Sequence, residues 1–133
     1  MKVRDSAADG YEVLQDDEVV GSFASIVEAI RYVGDRDARL SLDWGRIIVG
    51  GDAAPFDYER SFLGTCVGRI LGEPHGPSKG YWFWTISTNH RRWRVHCGQR
   101  GRNADKDAAV AELERQFTEY LAETPPYAQA NGV

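Results

Sequence analysis

Five arginines and no acidic residue lie in one stretch of this chain, Asn89-His90-Arg91-Arg92-Trp93-Arg94-Val95-His96-Cys97-Gly98-Gln99-Arg100-Gly101-Arg102-Asn103. A guanidinium group presents its donors in a planar fork that matches phosphate or carboxylate, and it stacks on flat rings. Arg91, Arg92 and Arg94 surround Trp93, and the stretch follows Tyr81-Trp82-Phe83-Trp84, so Trp82, Trp84 and Trp93 are candidates for an aromatic platform beside the cations. A sheet surface of this composition suits a nucleic acid strand, with arginines on phosphates and rings against bases. The plainer alternative is a solvated hairpin whose arginines pair with carboxylates of their own chain. Arg100 and Arg102 lie beside glycines just before a predicted helix, where free amides and two cations would make an anion pocket, set against a simple turn and helix start. No GxxxxGK[ST] or GxGxxG phosphate loop occurs.

The inventory for catalysis is thin. His75 lies in a Gly/Pro-rich loop and His90 in a predicted turn. His96 adjoins Cys97 on a predicted strand, where neighbours point to opposite faces and form no thiolate–imidazole couple. There is no HExxH and no zinc-type spacing. Carboxylates gather in Asp16-Asp17-Glu18 and Asp35-Arg36-Asp37, both in predicted turns where solvation is their ordinary role. With no nucleophile, base and stabiliser assembled, the expected class is a small non-enzymatic binding protein with no catalytic residues, metal or cofactor.

Charge narrows the choice of partner. The net charge is -4, which argues against wholesale polyanion binding, but it is unevenly spread. Residues 1–60 carry 7 basic and 13 acidic side chains, and residues 61–133 carry 9 and 7. The basic second half points to nucleic acid as the partner. The acidic first half points instead to a protein-interaction module, a small regulator or inhibitor that faces a basic protein or mimics a nucleic acid. Docking of one copy's basic half on another's acidic half would make a homodimer. The two cysteines, Cys66 and Cys97, stand alone and read as reduced, buried small hydrophobes. No apolar run is long enough to cross a bilayer and the start lacks the apolar core of a secretory signal, so the expected location is cytoplasmic.

The elements that must position these residues follow from hydrophobic period and turn chemistry. A length of 133 residues and 42% hydrophobic content suit a single compact domain over 1–133, with a subdivision at most into an acidic half, 1–52, and a basic half, 60–124, before a tail at 125–133. Tyr11-Glu12-Val13-Leu14 and Val19-Val20-Gly21-Ser22-Phe23 read as a hairpin joined by Gln15-Asp16-Asp17-Glu18. Ser25 and Glu28 have capping-box spacing before the stripe Ile26, Ile30, Val33, and Gly34 is the expected left-handed terminator. Leu40, Leu42 and Trp44 alternate on a strand, with Gly45 turning the chain into Ile47-Ile48-Val49. Residues 50–60 hold glycine and proline breakers without periodicity and read as irregular.

Residues 62–71 form a predicted strand interrupted by Gly64 and Gly68. Tyr81-Trp82-Phe83-Trp84-Thr85-Ile86-Ser87 is apolar on both faces and belongs in the middle of a sheet. The chain should return through Trp93 to Cys97, and a long helix from about Asp105 to Ala122 carries Val110, Leu113, Phe117, Tyr120 and Leu121 on its packing face. The expected fold is therefore α+β: an antiparallel or mixed sheet of short strands, one short helix in the first half and a long C-terminal helix packed on the sheet. Over about residues 62–122 this order of elements resembles the DNA-binding modules of the AP2 and integrase amino-terminal types, a resemblance that implies a sheet entering a nucleic acid groove and assigns no residue roles.

Overall fold

The computed structural model describes residues 1–7, 9–87 and 97–123. Strands β1 (Lys2–Asp5), β2 (Tyr11–Gln15) and β3 (Glu18–Phe23) form one antiparallel sheet in chain order. After helix α1 (Ile26–Asp35), a second sheet is built by β4 (Asp43–Val49), β5 (Asp52–Phe62), β6 (Thr65–Gly72), β7 (Trp82–Ser87) and β8 (Cys97–Asn103), every neighbouring pair antiparallel. Helix α2 (Lys106–Glu123) closes the described chain. The fold is α+β, with a short helix on the first sheet and a C-terminal helix on the second.

Right-handed strand twist favours two-residue loops in which both residues have positive φ. Three hairpins meet that demand: Asp16 and Asp17 at 52° and 67°, Gly50 and Gly51 at 61° and 88°, and Leu63 and Gly64 at 49° and 80°. The first is the hairpin expected there. The second displaces the turn expected at Gly45, because β4 runs straight through that residue and the Gly-Gly pair supplies the cheaper left-handed loop. Residues 50–60, expected to be irregular, contain most of β5. Their breakers are absorbed where the register with β4 jumps from Arg46↔Tyr58 to Ile48↔Ala53. That bulge takes in Pro55, which has no amide to donate, and Phe56, whose φ is 59°.

Helix α1 starts as its capping box requires, with the Ser25 hydroxyl accepting from the Glu28 amide at 3.2 Å. It ends one step later than expected: Gly34 stays helical, the chain caps at Arg36, and Asp37 takes the left-handed conformation at φ 54°. Helix α2 is capped by Asp105, whose carboxylate accepts from the Ala108 amide at 2.8 Å.

Leu40 and Leu42 alternate inward as expected, yet they lie just before β4 and their backbone is held by α2 instead of a strand. The Leu40 amide donates to Thr118 Oγ1 at 2.8 Å and the Leu42 amide to Glu114 Oε2 at 2.9 Å. Glu114 also receives the buried Arg60 at 2.6 Å and Arg39 at 3.0 Å. One hydrophobic cluster runs from Val3, Val13, Ile26 and Ile30 through Phe62, Ile70 and Trp84 to Leu113, Phe117 and Leu121. The two sheets meet where the Ser41 amide donates to the Met1 carbonyl at 2.8 Å and Lys2 pairs with Asp43 at 2.9 Å.

Candidate binding surface

Register decides which side chains of the second sheet face α2. Trp44 is opposite Arg60, Arg60 opposite Gly68, and Gly68 opposite Ile86, while Arg46, Tyr58, Ile70, Trp84 and Gly101 are aligned in the next row. Paired residues share a face, so these two rows point toward α2. Trp84 and Ile86 are buried beneath it. The helix does not reach the end of the sheet nearest its own first turn, where Trp44, Tyr58 and Trp82 form a second, shallower aromatic group.

Within that group Trp44 and Tyr58 meet edge to face at 5.3 Å and 78°, Tyr58 and Trp82 lie 6.5 Å apart, and Phe56 meets Trp82 at 6.3 Å and 68°. Trp44 remains 49% exposed and Phe56 45%, and Ile48, on the same edge strand as Trp44, is 60% exposed. Lys106, the first residue of α2, holds its ammonium 4.3 Å from the Tyr58 ring centre, 4.8 Å from Trp44 and 5.7 Å from Trp82. The Arg46 guanidinium lies 4.6 Å from the Tyr58 ring centre, and that of Arg60 lies 3.8 Å from Trp44. Ring faces carry negative charge, so each of these cations is held by a quadrupole. Burial pulls the Arg60 pKa below its ordinary value while Glu114 pulls it back up, and a guanidinium remains charged at neutral pH. Trp44, Gly45, Arg46, Tyr58 and Lys106 line an open recess of about 300 Å³.

The opposite face of the second sheet is covered by no described helix. Glu59, Arg69, Thr85 and Arg100 share one row across it, and Asp57, Leu71, Phe83 and Arg102 share another. Arg69 is answered by Asp57, whose two carboxylate oxygens accept from its Nε and Nη2, and this contact raises the Arg69 pKa. Arg100 and Arg102 are exposed and have no ion pair among the described residues; the Arg102 guanidinium lies 5.0 Å from the Tyr81 ring centre. A groove of about 1150 Å³ between α1 and α2 carries both signs of charge, with Arg115 bound to Glu112 and Glu119 within it.

Set against the expected site residues, these placements divide the candidates. Arg91, Arg92, Trp93 and Arg94, with the predicted return strand, lie outside the described residues. Arg100 and Arg102 belong to β8 and not to a turn, so they project from a sheet face instead of gathering at the start of α2. Gly101 between them serves packing: a Cβ there would come within 2.7 Å of the Trp84 indole nitrogen. Of the proposed platform, Trp84 is core and Trp82 lies at its margin. Cys66, expected to be buried, is exposed, although local burial pushes its thiol pKa up.

Trp44, Arg46, Phe56, Tyr58 and Lys106 were not foreseen as a group. The signal for them was the pair of two-residue spacings Trp44/Arg46 and Phe56/Tyr58, masked by a misplaced turn and an unrecognised bulge. Among the described residues no three His, Cys, Asp or Glu side chains gather as a metal site, and no helix is long and apolar enough to cross a membrane. No protein-family model, no curated protein and no solved structure matches the chain.

Proposed function

We propose that this chain is a non-enzymatic binding protein whose partner is another protein, docked on the surface formed by Trp44, Phe56, Tyr58 and Trp82. The observation that carries the reading is the exposure of Trp44 and Phe56 at the rim of a mutually packed ring cluster. Aromatic rings with neighbouring arginine are the residues that anchor protein interfaces. The edge-on packing of Trp44 on Tyr58 and of Phe56 on Trp82 supports a protein over a nucleic acid here, because stacked bases need parallel faces left open. Strand β4 adds to the support, since it borders the sheet and its outer edge is unpaired among the described residues. A cytoplasmic setting accords with the free thiol of Cys66.

The test is affinity capture from the cells that make the protein, with nuclease treatment, followed by reconstitution with the identified partner and calorimetry. Binding should survive nuclease and weaken by roughly thirtyfold or more in the Trp44→Ala/Phe56→Ala variant, as loss of a hot spot of about 2 kcal/mol requires. Equal affinity of the variant for the reconstituted partner would remove the reading.

A second reading, nucleic acid binding, is favoured by Arg100 and Arg102 on the uncovered sheet face beside Tyr81. It is weakened by Asp57 and Glu59, which bring negative charge onto the same face. Oligonucleotide affinity that falls as salt rises, and whose salt slope shrinks by about one per arginine in Arg100→Ala and Arg102→Ala, would favour it.

A further inference from the structure

We propose that the recess lined by Trp44, Arg46, Tyr58 and Lys106 receives an acidic segment of the protein partner, its carboxylates on Lys106 and Arg46 and an adjoining apolar side chain against Trp44 and Tyr58. This assignment rests on the protein-partner reading and supplies its chemistry.

The argument is charge complementarity. The chain has 20 acidic residues against 16 Lys and Arg, so carboxylates are in surplus. Lys2, Arg4, Arg39, Arg60 and Arg69 each bind one, and Arg115 binds two. Lys106 and Arg46 bind none among the described residues, and both line the recess and lie over the Tyr58 ring. Of the acids beside Lys106 in sequence, Asp105 is committed to the Ala108 amide. Arg46 spends one donor on the Ala54 carbonyl at 3.2 Å. Its remaining N–H groups and the Lys106 ammonium are held in place by rings, which fix a cation without neutralising it.

Two further features sharpen the fit. Lys106 opens an 18-residue helix, so the first-turn amides that do not donate to Asp105 add positive potential at the same end. The volume of the recess, about 300 Å³, suits one or two side chains. Two cations converging on one ring-walled recess match a carboxylate flanked by an apolar residue better than a phosphate track, which wants cations spaced along a groove.

Three probes are titrated into the isotope-labelled full chain while the Trp44 indole and Lys106 amide resonances are followed: a capped glutamate–leucine repeat peptide, its glutamine–leucine counterpart, and a single-stranded oligothymidylate. The glutamate peptide should give saturable shifts at both resonances. Affinity should fall about tenfold in Lys106→Gln and in Arg46→Gln, as removal of one charge-assisted contact implies. Lys106→Glu should transfer the preference to a lysine–leucine peptide, a gain that misfolding does not produce. An equal response to the glutamine peptide, a response confined to oligothymidylate, or unchanged affinity in both glutamine variants overturns the assignment. If that happens while Trp44→Ala/Phe56→Ala still weakens the reconstituted partner, the carboxylate chemistry falls alone. If the partner is indifferent to that variant as well, the protein-partner reading falls with it.

Discussion

Arg60 is 2% exposed and its ion pair with Glu114 spans 2.6 Å, inside the layer between α2 and the second sheet. Nη2 is satisfied, whereas Nε and Nη1 have no hydrogen-bond partner among the described residues and the guanidinium lies against the Trp44 ring. Glu114 is the more heavily committed of the two, because it also holds Arg39 and the Leu42 amide. Removing one member of a buried pair leaves a charge without compensation, which costs about 3–5 kcal/mol, whereas an exposed pair contributes less than about 1 kcal/mol. Glu114→Leu should therefore lower unfolding free energy in urea by several kcal/mol. The double variant Glu114→Leu/Arg60→Met should recover part of that loss, since it removes the stranded charge. A loss under about 1 kcal/mol in the single variant would show that the pair is solvated. The consequence reaches the binding surface, because Arg60 lies under Trp44 and fixes the ring that a partner would meet.

At the scale of the element, close packing of α2 on the second sheet depends on missing side chains. A Cβ at Gly68 would lie 2.7 Å from the Thr85 carbonyl and 3.2 Å from Leu113, and one at Gly101 would lie 2.7 Å from Trp84. Overpacking of this kind costs about 1–3 kcal/mol, and more when the obstructing atom is backbone than when it is a side chain that can shift. Gly68→Ala should thus lower the unfolding midpoint more than Gly101→Ala, and the reverse order would refute the geometry. These glycines also mark the limit of what the sequence disclosed. Gly68 reads locally as an interruption of a strand and Gly101 as part of a turn, and only pairing across β6, β7 and β8 reveals them as space for Leu113 and Trp84. Local signals sufficed where the period was clean: the Asp16-Asp17 hairpin, the Ser25 cap, the two-faced β7 and the apolar stripe of α2. They failed at residues 50–60, where a bulge accommodates the breakers, and so the aromatic surface that depends on β5 stayed hidden while Trp82 was foreseen without its neighbours.

At the scale of the whole molecule, the charge division suggests two halves while the packing joins them. The acidic side, residues 1–60, holds β1 to β4, α1 and most of β5, the more basic side holds β6 to β8 and α2, and the hydrophobic cluster crosses from Ile30 and Val33 on α1 to Leu113 and Phe117 on α2 without interruption. Polar contacts reinforce that joint, since the segment carrying Leu40 and Leu42 is bound to Thr118 and Glu114. Coupling of this kind makes a specific demand on unfolding. Trp44, Trp82 and Trp84 lie on strands of the second sheet and no tryptophan precedes residue 44, so tryptophan fluorescence reports the second sheet and not the first, whereas far-UV circular dichroism reports both helices and both sheets. Ile30 is 1% exposed on α1, and truncating a buried isoleucine to alanine costs about 2–5 kcal/mol through lost transfer energy and the cavity left behind. If the cluster acts as one cooperative core, Ile30→Ala should shift the fluorescence-detected urea midpoint by as much as the circular dichroism midpoint, with the two curves superimposed. A fluorescence transition left at its original midpoint while the dichroism splits would mean that the halves unfold separately. The aromatic surface would then be carried by the second half alone, and the first would be free to act as a unit of its own.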